Sequence, residues 1–287
     1  MNEIELKAYA KINLSIDVLG KRPDGYHEVK MIMQTLMLHD IVIVKKGIGN
    51  INIECSNKWI PKGEKNIAYK AAALMMDKFG IKDGIDINIK KSIPVSAGLA
   101  GGSADAAAVF KAINELYELG LNTNELMQLG KTIGADVPYC IVGGTALAQG
   151  IGEKITLLSS FPCTDVLIIK PPFGVSTAWV YENLRLNEIH IRPDIQALQM
   201  GIEKQNITEV SREMINVLEL VTIKRYSVIE KLKKQLIQNG AKGSLMSGSG
   251  PSVFGLFENK DAANKALENI KSRKMQCFLT KTINEEK

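Results

Sequence analysis

The chain has 287 residues, of which 45% are hydrophobic and 23% are charged. These fractions exclude a disordered chain and are typical of a globular protein, and the length favours two domains. The net charge of +5 is small and spread along the chain, so it suits an anionic small molecule and does not indicate a nucleic-acid-binding surface.

The N-terminal segment predicts a long β-strand. Over residues 4–18 every even-numbered residue is apolar, whereas the odd-numbered residues are mostly polar. A period of two predicts one strand, or two joined by a bend, with a buried face and a polar face. Lys11 and Asn13 lie on the same polar face, about 7 Å apart along the strand. Residues 22–27 follow and contain a Pro-Asp-Gly turn signal.

The rest of the first half alternates strand and helix patterns. Asn66 is a predicted N-cap, and Asn122 with Glu125 resembles a capping box. The segment over residues 134–138 is predicted to be a break. We expect strands at residues 29–38, 41–44, 51–55, 85–89 and 145–148, and helices at 66–79, from 103 to a stop at Gly120, and from 122 to near 134.

A domain boundary is predicted near residue 155, giving domains over 1–155 and 156–287. The second half contains several helical stretches up to residue 239 and then a Gly/Ser loop over residues 243–252. Because strands and helices occur in mixed order in both halves, the expected class is α+β throughout. The other predicted elements are strands at 166–169, 253–257 and 276–282 and a helix at 262–272.

The loop over residues 94–106 is the strongest indication of chemistry. Gly98, Gly101 and Gly102 allow close approach of a ligand to the backbone, and a helix begins directly afterwards. A strand, a glycine loop and a helix N-terminus together form the usual cradle for phosphate groups. The spacing is neither the Walker A motif nor the dinucleotide-binding motif. The alternative is a glycine-rich turn ahead of a helix cap.

Other candidate residues are ambiguous on their own. Asp136 before Val-Pro is typical of a turn or cap, and Lys11 on a polar strand face is typical of a solvated charge. Tyr26 and His27 after a turn are typical of a surface pair, and Tyr181 at helical spacing is typical of packing. The loop over residues 243–252 is either a phosphate contact or a tight connection.

The four cysteines show no spacing typical of a zinc site or a redox dithiol. The N-terminal residues do not resemble a signal peptide, and no apolar run approaches 18 residues. We therefore expect a reduced, soluble, cytoplasmic protein.

Three features occur in one order: a lysine-bearing strand, the loop over residues 94–106 and the late loop over residues 243–252. Together they resemble the GHMP small-molecule kinases, which include galactokinase and the homoserine and mevalonate kinases. Residues 10–14, 22–27 and 134–138 (Ala-Lys-Ile-Asn-Leu, Arg-Pro-Asp-Gly-Tyr-His and Gly-Ala-Asp-Val-Pro) are similar to the members that phosphorylate a cytidine-diphosphate-linked alcohol of the non-mevalonate route to isoprenoids. The resemblance spans nearly the whole chain. It implies a ribosomal-protein-S5-like N-terminal domain and a ferredoxin-like C-terminal α+β domain.

The resemblance also implies roles for individual residues. Asp136 would be the catalytic base and Lys11 its electrostatic partner, with ATP and Mg²⁺ as cofactors and Ser103 as one candidate Mg²⁺ ligand. Asn66 and Lys91 would lie near the adenosine, and the residues that wrap the ATP phosphates would be Pro94, Val95, Ser96, Ala97, Gly98, Leu99, Ala100, Gly101, Gly102, Ser103 and Ala104. Around the cytidylyl substrate, Tyr26 and His27 would hold the cytosine, Tyr181 would stack on it, and the remaining contacts would be Thr177, Asn13, Ser247 and Gly248.

The sequence departs from the family pattern at two positions. Met33 stands where an aromatic ring often forms the second wall of the cytosine pocket, and Ala100 replaces a glycine in the phosphate loop. The expected partner is the small-molecule substrate, with no nucleic acid or membrane, and weak homodimer formation is left open. Three alternatives remain: another kinase of the same family, a non-catalytic nucleotide-binding module, and a purely structural role for these motifs.

Overall fold

A computed structural model of the protein describes residues 2–270 and 274–284, and its backbone contacts divide the chain into two units. Unit 1 contains the chain up to Ala10, Leu38–Pro94 and Ala100–Val142. Unit 2 contains Lys11–Met37, Val95–Leu99 and the chain from Gly143 onward. Both units combine strands and helices, which confirms the predicted α+β class.

The strands are β1 (Glu3–Lys21), β2 (His27–Gly47), β3 (Ile51–Cys55), β4 (Gly84–Lys90), β5 (Thr145–Gly150), β6 (Lys154–Leu157), β7 (Asp165–Lys170), β8 (Gly243–Met246), β9 (Val253–Phe257) and β10 (Gln276–Lys281). The helices are α1 (Ile67–Phe79), α2 (Gly101–Leu116), α3 (Thr123–Ile133), α4 (Val137–Val142), α5 (Thr177–Asn183), α6 (Ile195–Glu203), α7 (Ile207–Glu213), α8 (Glu219–Arg225), α9 (Val228–Gln238) and α10 (Lys260–Ile270). The last two residues of the predicted helix 262–272 lie outside the described residues. Within residues 2–270 and 274–284, no helix combines the length and the apolarity needed to span a membrane.

In unit 1, helices cover one face of a sheet. The C-terminal half of β2 pairs antiparallel with β4, which pairs parallel with β3. Alternate residues of these strands pack against α1 and α2, and the smaller helices α3 and α4 extend the same apolar core. The inner face of α2 is rich in alanine and fully buried, which allows it to lie close to α1.

Unit 2 contains a four-stranded antiparallel sheet in the order β10–β7–β9–β8. Strand β9 is buried along its whole length, because α9 and α10 pack against the sheet. The N-terminal half of β2 forms a second antiparallel group with β5 and β6. Strand β6 was not expected from the sequence, since its exposed residues give no apolar pattern.

Helix ends in unit 1 follow the predicted caps. The Asn66 side chain accepts a hydrogen bond from the first turn of α1, and Gly80 ends that helix at a φ of 63°. The capping box of Asn122 and Glu125 at α3 is present. Helix α2 begins at Gly101, two residues before the start predicted at Ser103, because Ala100, the last residue of the glycine loop, is the N-cap.

Strand β2 is continuous, whereas the sequence predicts two strands on either side of His39 and Asp40. Asp40 is compatible with a continuous strand because its buried carboxylate accepts hydrogen bonds from the backbone N–H groups of Ser92 and Ile93. The predicted break over residues 134–138 is also shorter than expected, because α4 begins at Val137. Similarly, the first four residues of the predicted loop 243–252 form β8.

Strand β1 differs from its predicted pattern in its second half. The polar face is exposed at its start, but Lys11 is only 4% exposed and Asn13, Ser15 and Asp17 are buried too. A buried ammonium or amide group loses its hydration and needs hydrogen-bond partners within the protein. Lys11 is therefore not a solvated surface charge, and this stretch of β1 is a candidate for function.

Candidate active site

The loop between β4 and α2 has left-handed backbone at alternate residues. The φ angles are 51° at Ser96, 74° at Gly98 and 56° at Ala100. Alternation between left-handed and other conformations turns successive N–H groups towards one side, which creates a concave site for anions. The geometry supports the predicted phosphate-binding role of this loop.

Gly98 lies directly against the late loop of unit 2. A Cβ atom built on Gly98 would be 2.1 Å from the carbonyl oxygen of Ser247. The Ser247 hydroxyl donates a hydrogen bond of 2.9 Å to the Gly98 carbonyl oxygen. On the other side of this segment, the Lys11 N–H donates to the Leu99 carbonyl oxygen at 3.2 Å. The close approach requires glycine at position 98.

Ala100 carries a Cβ in the left-handed conformation, at a position where the family resemblance implies glycine. This conformation costs an L-residue about 1–2 kcal/mol. We therefore expect Ala100→Gly to raise the free energy of unfolding by about 1 kcal/mol, measured by urea denaturation. Ala107→Gly inside α2 is the matched control, and it should lower the free energy of unfolding because glycine disfavours a helix interior. A loss of stability in Ala100→Gly would contradict this interpretation.

A polar network joins the buried part of β1 to the late loop. The Asn13 Oδ1 atom accepts hydrogen bonds from the Lys11 Nζ at 2.6 Å and from the Gly248 N–H at 3.0 Å. The Asn216 side chain donates to the carbonyl oxygens of Met246 and Gly248, each at 2.8 Å. Lys11, Asn13 and Gly248, three of the predicted site residues, thus lie together within unit 2.

Two of the rings expected at the cytosine also lie together. The rings of His27 and Tyr181 have centroids 5.2 Å apart with planes at 35°. The Tyr26 side chain is 60% exposed, and Met33 is fully buried, so Met33 does not form an open wall. The Thr177 hydroxyl lies 2.9 Å from that of Ser249.

The surroundings of His27 favour its neutral form. Partial burial, and then the positive charge of Lys21, lower the pKa of His27 below its usual value. A neutral imidazole has one hydrogen-bond donor and one acceptor, as the polar edge of a pyrimidine base requires of its partner.

In unit 1, Lys91 lies between two carboxylates. Its Nζ contacts the Oδ2 atoms of Asp40 and Asp105, the latter at 2.7 Å. Burial on its own would lower the pKa of Lys91, but the charges of Asp105 and Asp40 outweigh it and raise that pKa. Burial also raises the pKa of Asp105 to about 7, against the opposing effect of Lys91. The Lys91 ammonium is therefore charged and held in a fixed position.

Asn66 and Asp136 both stand at helix starts in unit 1. The Asn66 side chain accepts from the Ala68 N–H and donates to the Pro61 carbonyl oxygen, each at 2.9 Å. Asp136 is half-buried and directly precedes α4, which packs against α2. Its carbonyl oxygen accepts the first backbone hydrogen bond of α4, from Cys140. Asp136 is thus held on a short helix beside the helix that follows the glycine loop.

Ser103 is a suitable oxygen donor for Mg²⁺. Ser103 is half-buried and lies in the first turn of α2, directly after the glycine loop. Mg²⁺ is usually held by one or two oxygen ligands of the protein together with substrate phosphates. Among residues 2–270 and 274–284, no group of three or more His, Cys, Asp or Glu side chains is placed to hold a metal ion.

Asp40 and Asn216 belong to these networks and were not predicted from the sequence. Asp40 is a carboxylate inside the apolar pattern of β2, and this interruption is a signal that could have identified it. Asn216 positions the late loop through hydrogen bonds to backbone atoms that are distant in sequence, so no local pattern indicates it.

Sequence models of two known domains match the chain. Residues 66–144 match the GHMP kinases N terminal domain, and residues 197–276 match the GHMP kinases C terminal domain. The chain is 56% identical, over 99% of its length and 100% of the relative, to a 4-diphosphocytidyl-2-C-methyl-D-erythritol kinase of Acetivibrio thermocellus. A kinase of the same name from Caldicellulosiruptor bescii is 52% identical, covering 97% of this chain and 98% of the relative.

Solved structures give the same result. A crystal structure of a 4-(cytidine 5'-diphospho)-2C-methyl-D-erythritol kinase has a TM-score of 0.84 at 30% identity and covers 97% of this chain and 99% of that one. A homoserine kinase from Cytophaga hutchinsonii shares the fold, with a TM-score of 0.76 at 21% identity over 99% of this chain and 95% of that one. The protein therefore belongs to the GHMP kinases, in the branch formed by the 4-diphosphocytidyl-2-C-methyl-D-erythritol kinases, and is a small-molecule phosphotransferase.

Proposed function

We propose that this kinase transfers the γ-phosphoryl group of ATP to the 2-hydroxyl group of 4-diphosphocytidyl-2-C-methyl-D-erythritol, a step of the non-mevalonate route to isoprenoids. The observation that carries the proposal is the 56% identity, over 99% of the chain, to a relative named for this substrate. The neighbouring rings of His27 and Tyr181 support it, because a flat pyrimidine stacks favourably on an aromatic ring.

On the nucleotide side, residues 94–104 surround the ATP phosphates. The left-handed residues of the loop and the N-terminus of α2 support this assignment, because a loop and a helix start of this kind offer N–H groups to phosphate oxygens. Asn66 and Lys91 lie near the adenosine in this proposal. Mg²⁺, with Ser103 as a candidate ligand, supplies positive charge at the phosphates when it is bound.

On the acceptor side, Asp136 takes the proton from the attacking hydroxyl group, and Lys11 stabilises the charge at the reaction centre. Phosphoryl transfer depends mainly on positioning and on neutralising charge, so both groups need to be fixed in place. The hydrogen bond to Asn13 restricts the Lys11 ammonium, and α4 fixes the backbone of Asp136.

The cytidylyl part of the substrate is held by the predicted residues of unit 2. Tyr181 stacks on the base, Tyr26 and His27 contact its polar edge, and Thr177 lies beside them. Asn13, Ser247 and Gly248 contact the diphosphate and the alcohol. The Asn13–Gly248 hydrogen bond supports this assignment, because it links the two chain segments that carry these residues.

The proposal extends to the organisation of the protein. Residues 1–155 form the ATP-binding domain and residues 156–287 the second domain, which is supported by family matches that lie on either side of residue 155. The kinase acts in the cytoplasm on a small molecule, without nucleic acid or membrane, and weak homodimer formation is compatible with this function.

A panel of alcohols incubated with γ-labelled ATP tests the substrate. We expect label transfer to 4-diphosphocytidyl-2-C-methyl-D-erythritol with a kcat/KM far above the values for homoserine, mevalonate and phosphomevalonate. Preference for one of the other alcohols would identify a different kinase of the family. ATP binding without transfer to any alcohol would indicate a nucleotide-binding module and contradict the proposal.

Tyr181→Ala tests the cytosine pocket. We expect the KM for the cytidylyl substrate to rise roughly 5- to 150-fold, equivalent to the 1–3 kcal/mol of one base–aromatic stack, with the KM for ATP unchanged. Steady-state kinetics with each substrate varied in turn measure both values. Trp179→Ala is the matched control on the same helix, since the Trp179 ring contacts Arg225, and it should change neither KM. Equal increases for both substrates in Tyr181→Ala would contradict the pocket assignment.

A further inference from the structure

A buried ionic cluster joins the two chain segments that flank the glycine loop. Lys91 follows β4 and precedes the loop by three residues, whereas Asp105 lies in α2 beyond it. The side chains of Asp40, Lys91 and Asp105 are exposed by only 0%, 6% and 5% respectively. All three residues belong to unit 1.

Asp40 fixes the segment that enters the loop. Its Oδ1 atom accepts hydrogen bonds from the N–H groups of Ser92 at 2.5 Å and Ile93 at 2.8 Å. Its Oδ2 atom contacts the Lys91 ammonium. Because Ile41, the next residue, is paired with Lys90 of β4, these bonds continue the strand pairing up to the residue before Pro94.

Lys91 connects Asp40 to the segment that follows the loop. Its ammonium donates to Asp105 Oδ2 at 2.7 Å, and a Cβ atom on Gly101 would lie 3.3 Å from the same Nζ atom. The lysine head group is therefore packed against the first residue of α2 and bonded to the fifth. The two ends of the seven-residue segment 94–100 are connected through one side chain.

The cluster is not explained by stability alone. Removing two carboxylates and one ammonium from water is unfavourable, and apolar residues of similar volume often stabilise a fold equally well. In the described part of the chain, the second oxygen of Asp105, Oδ1, has no hydrogen-bond partner although it is buried. This cluster leaves one buried oxygen without a hydrogen bond but holds its three side chains in a fixed geometry. It is therefore better suited to positioning the loop than to stabilising the fold.

We propose that Asp40, Lys91 and Asp105 form a loop clamp, a set of positioning residues that fixes the separation of the loop ends and thereby sets the affinity for the ATP phosphates. The inference rests on the proposed role of residues 94–104 as the phosphate site. The clamp acts on the phosphates through the loop backbone. Loss of Asp105 leaves Lys91, which the proposed function places near the adenosine, bonded to Asp40, so ATP binding should weaken and adenosine binding should not.

The test compares the binding of ATP and of adenosine to Asp105→Ala by equilibrium dialysis. This variant keeps the Asp40–Lys91 pair, so no buried ammonium is left without a counter-charge. We expect the Kd for ATP to rise about tenfold or more, as for loss of a hydrogen bond to a charged group, and the Kd for adenosine to stay unchanged. Asp105→Asn keeps an acceptor oxygen and should restore most of the ATP affinity.

Asn114→Ala is the control for a general loosening of α2. It removes two hydrogen bonds to Leu121 at the other end of the helix and should leave the ratio of the two Kd values unchanged. The clamp is overturned if Asp105→Ala leaves both Kd values unchanged or raises both by the same factor. Gly98→Ala separates the two proposals: if it lowers ATP affinity and Asp105→Ala does not, only the clamp is wrong. If Gly98→Ala has no effect on ATP binding, the phosphate site itself is misassigned and the clamp is overturned with it.

Discussion

Replacing Asp136 with asparagine is expected to lower kcat by about 10²–10⁴-fold, the usual contribution of general acid–base catalysis. Asparagine keeps the size of the side chain and the start of α4, but it cannot accept the proton of the attacking hydroxyl group. The Kd for ATP should change little, because the phosphates are assigned to the glycine loop. Rapid-quench kinetics with saturating substrates, together with ATP titration, measure the two quantities separately.

Asp77→Asn is the control for the loss of one carboxylate in unit 1, since Asp77 is exposed on α1. It should leave kcat unchanged. Near-normal turnover by Asp136→Asn would remove Asp136 from the role of base. A large rise in the Kd for ATP with unchanged kcat would instead place this residue at the nucleotide.

Gly98→Ala is expected to reduce ATP affinity by about 10- to 100-fold, because a displaced loop loses backbone hydrogen bonds to the charged phosphates, and each such bond contributes about 1.5–3 kcal/mol. The new Cβ would be 2.1 Å from the Ser247 carbonyl oxygen, so the backbone of one loop has to move. The φ of 74° adds strain for any residue with a Cβ. Isothermal titration with ATP measures the loss.

Gly102→Ala is the matched substitution in the same motif. Its Cβ would make an ordinary contact of 3.5 Å with the Ile67 side chain, and alanine favours the helix in which it lies. We expect a much smaller loss of ATP affinity than in Gly98→Ala, because the new Cβ does not collide with protein backbone. Similar losses in the two variants would mean that the glycines act through general flexibility and that the contact with Ser247 is unimportant.

Local patterns predicted the elements whose ends depend on neighbouring residues. Helix α1 lies between a side-chain cap at Asn66 and a left-handed glycine at position 80, and both interactions are complete within the helix and its flanks. The same holds for the capping box of α3. The long alternation of β1 was likewise sufficient to predict its strand.

Features that depend on distant residues could not be predicted in the same way. The polar residues of β1 suggest a solvated face, but they are buried and are satisfied by partners such as Gly248, more than 200 positions away in sequence. In the sequence, Asp40 resembles a strand break. In the structure, its carboxylate accepts hydrogen bonds from the segment before the glycine loop. The motifs identified most candidate site residues, whereas the side chains that hold these motifs in place became visible only in the structure.

The most direct test is a crystal structure of the kinase with a non-hydrolysable ATP analogue and 4-diphosphocytidyl-2-C-methyl-D-erythritol. We expect an Asp136 carboxylate oxygen to lie about 3 Å from the 2-hydroxyl oxygen of the alcohol, within hydrogen-bond distance. We also expect the triphosphate to lie in the loop over residues 94–104. A 2-hydroxyl group bonded to a different base, or a triphosphate bound outside this loop, would contradict the proposed reaction.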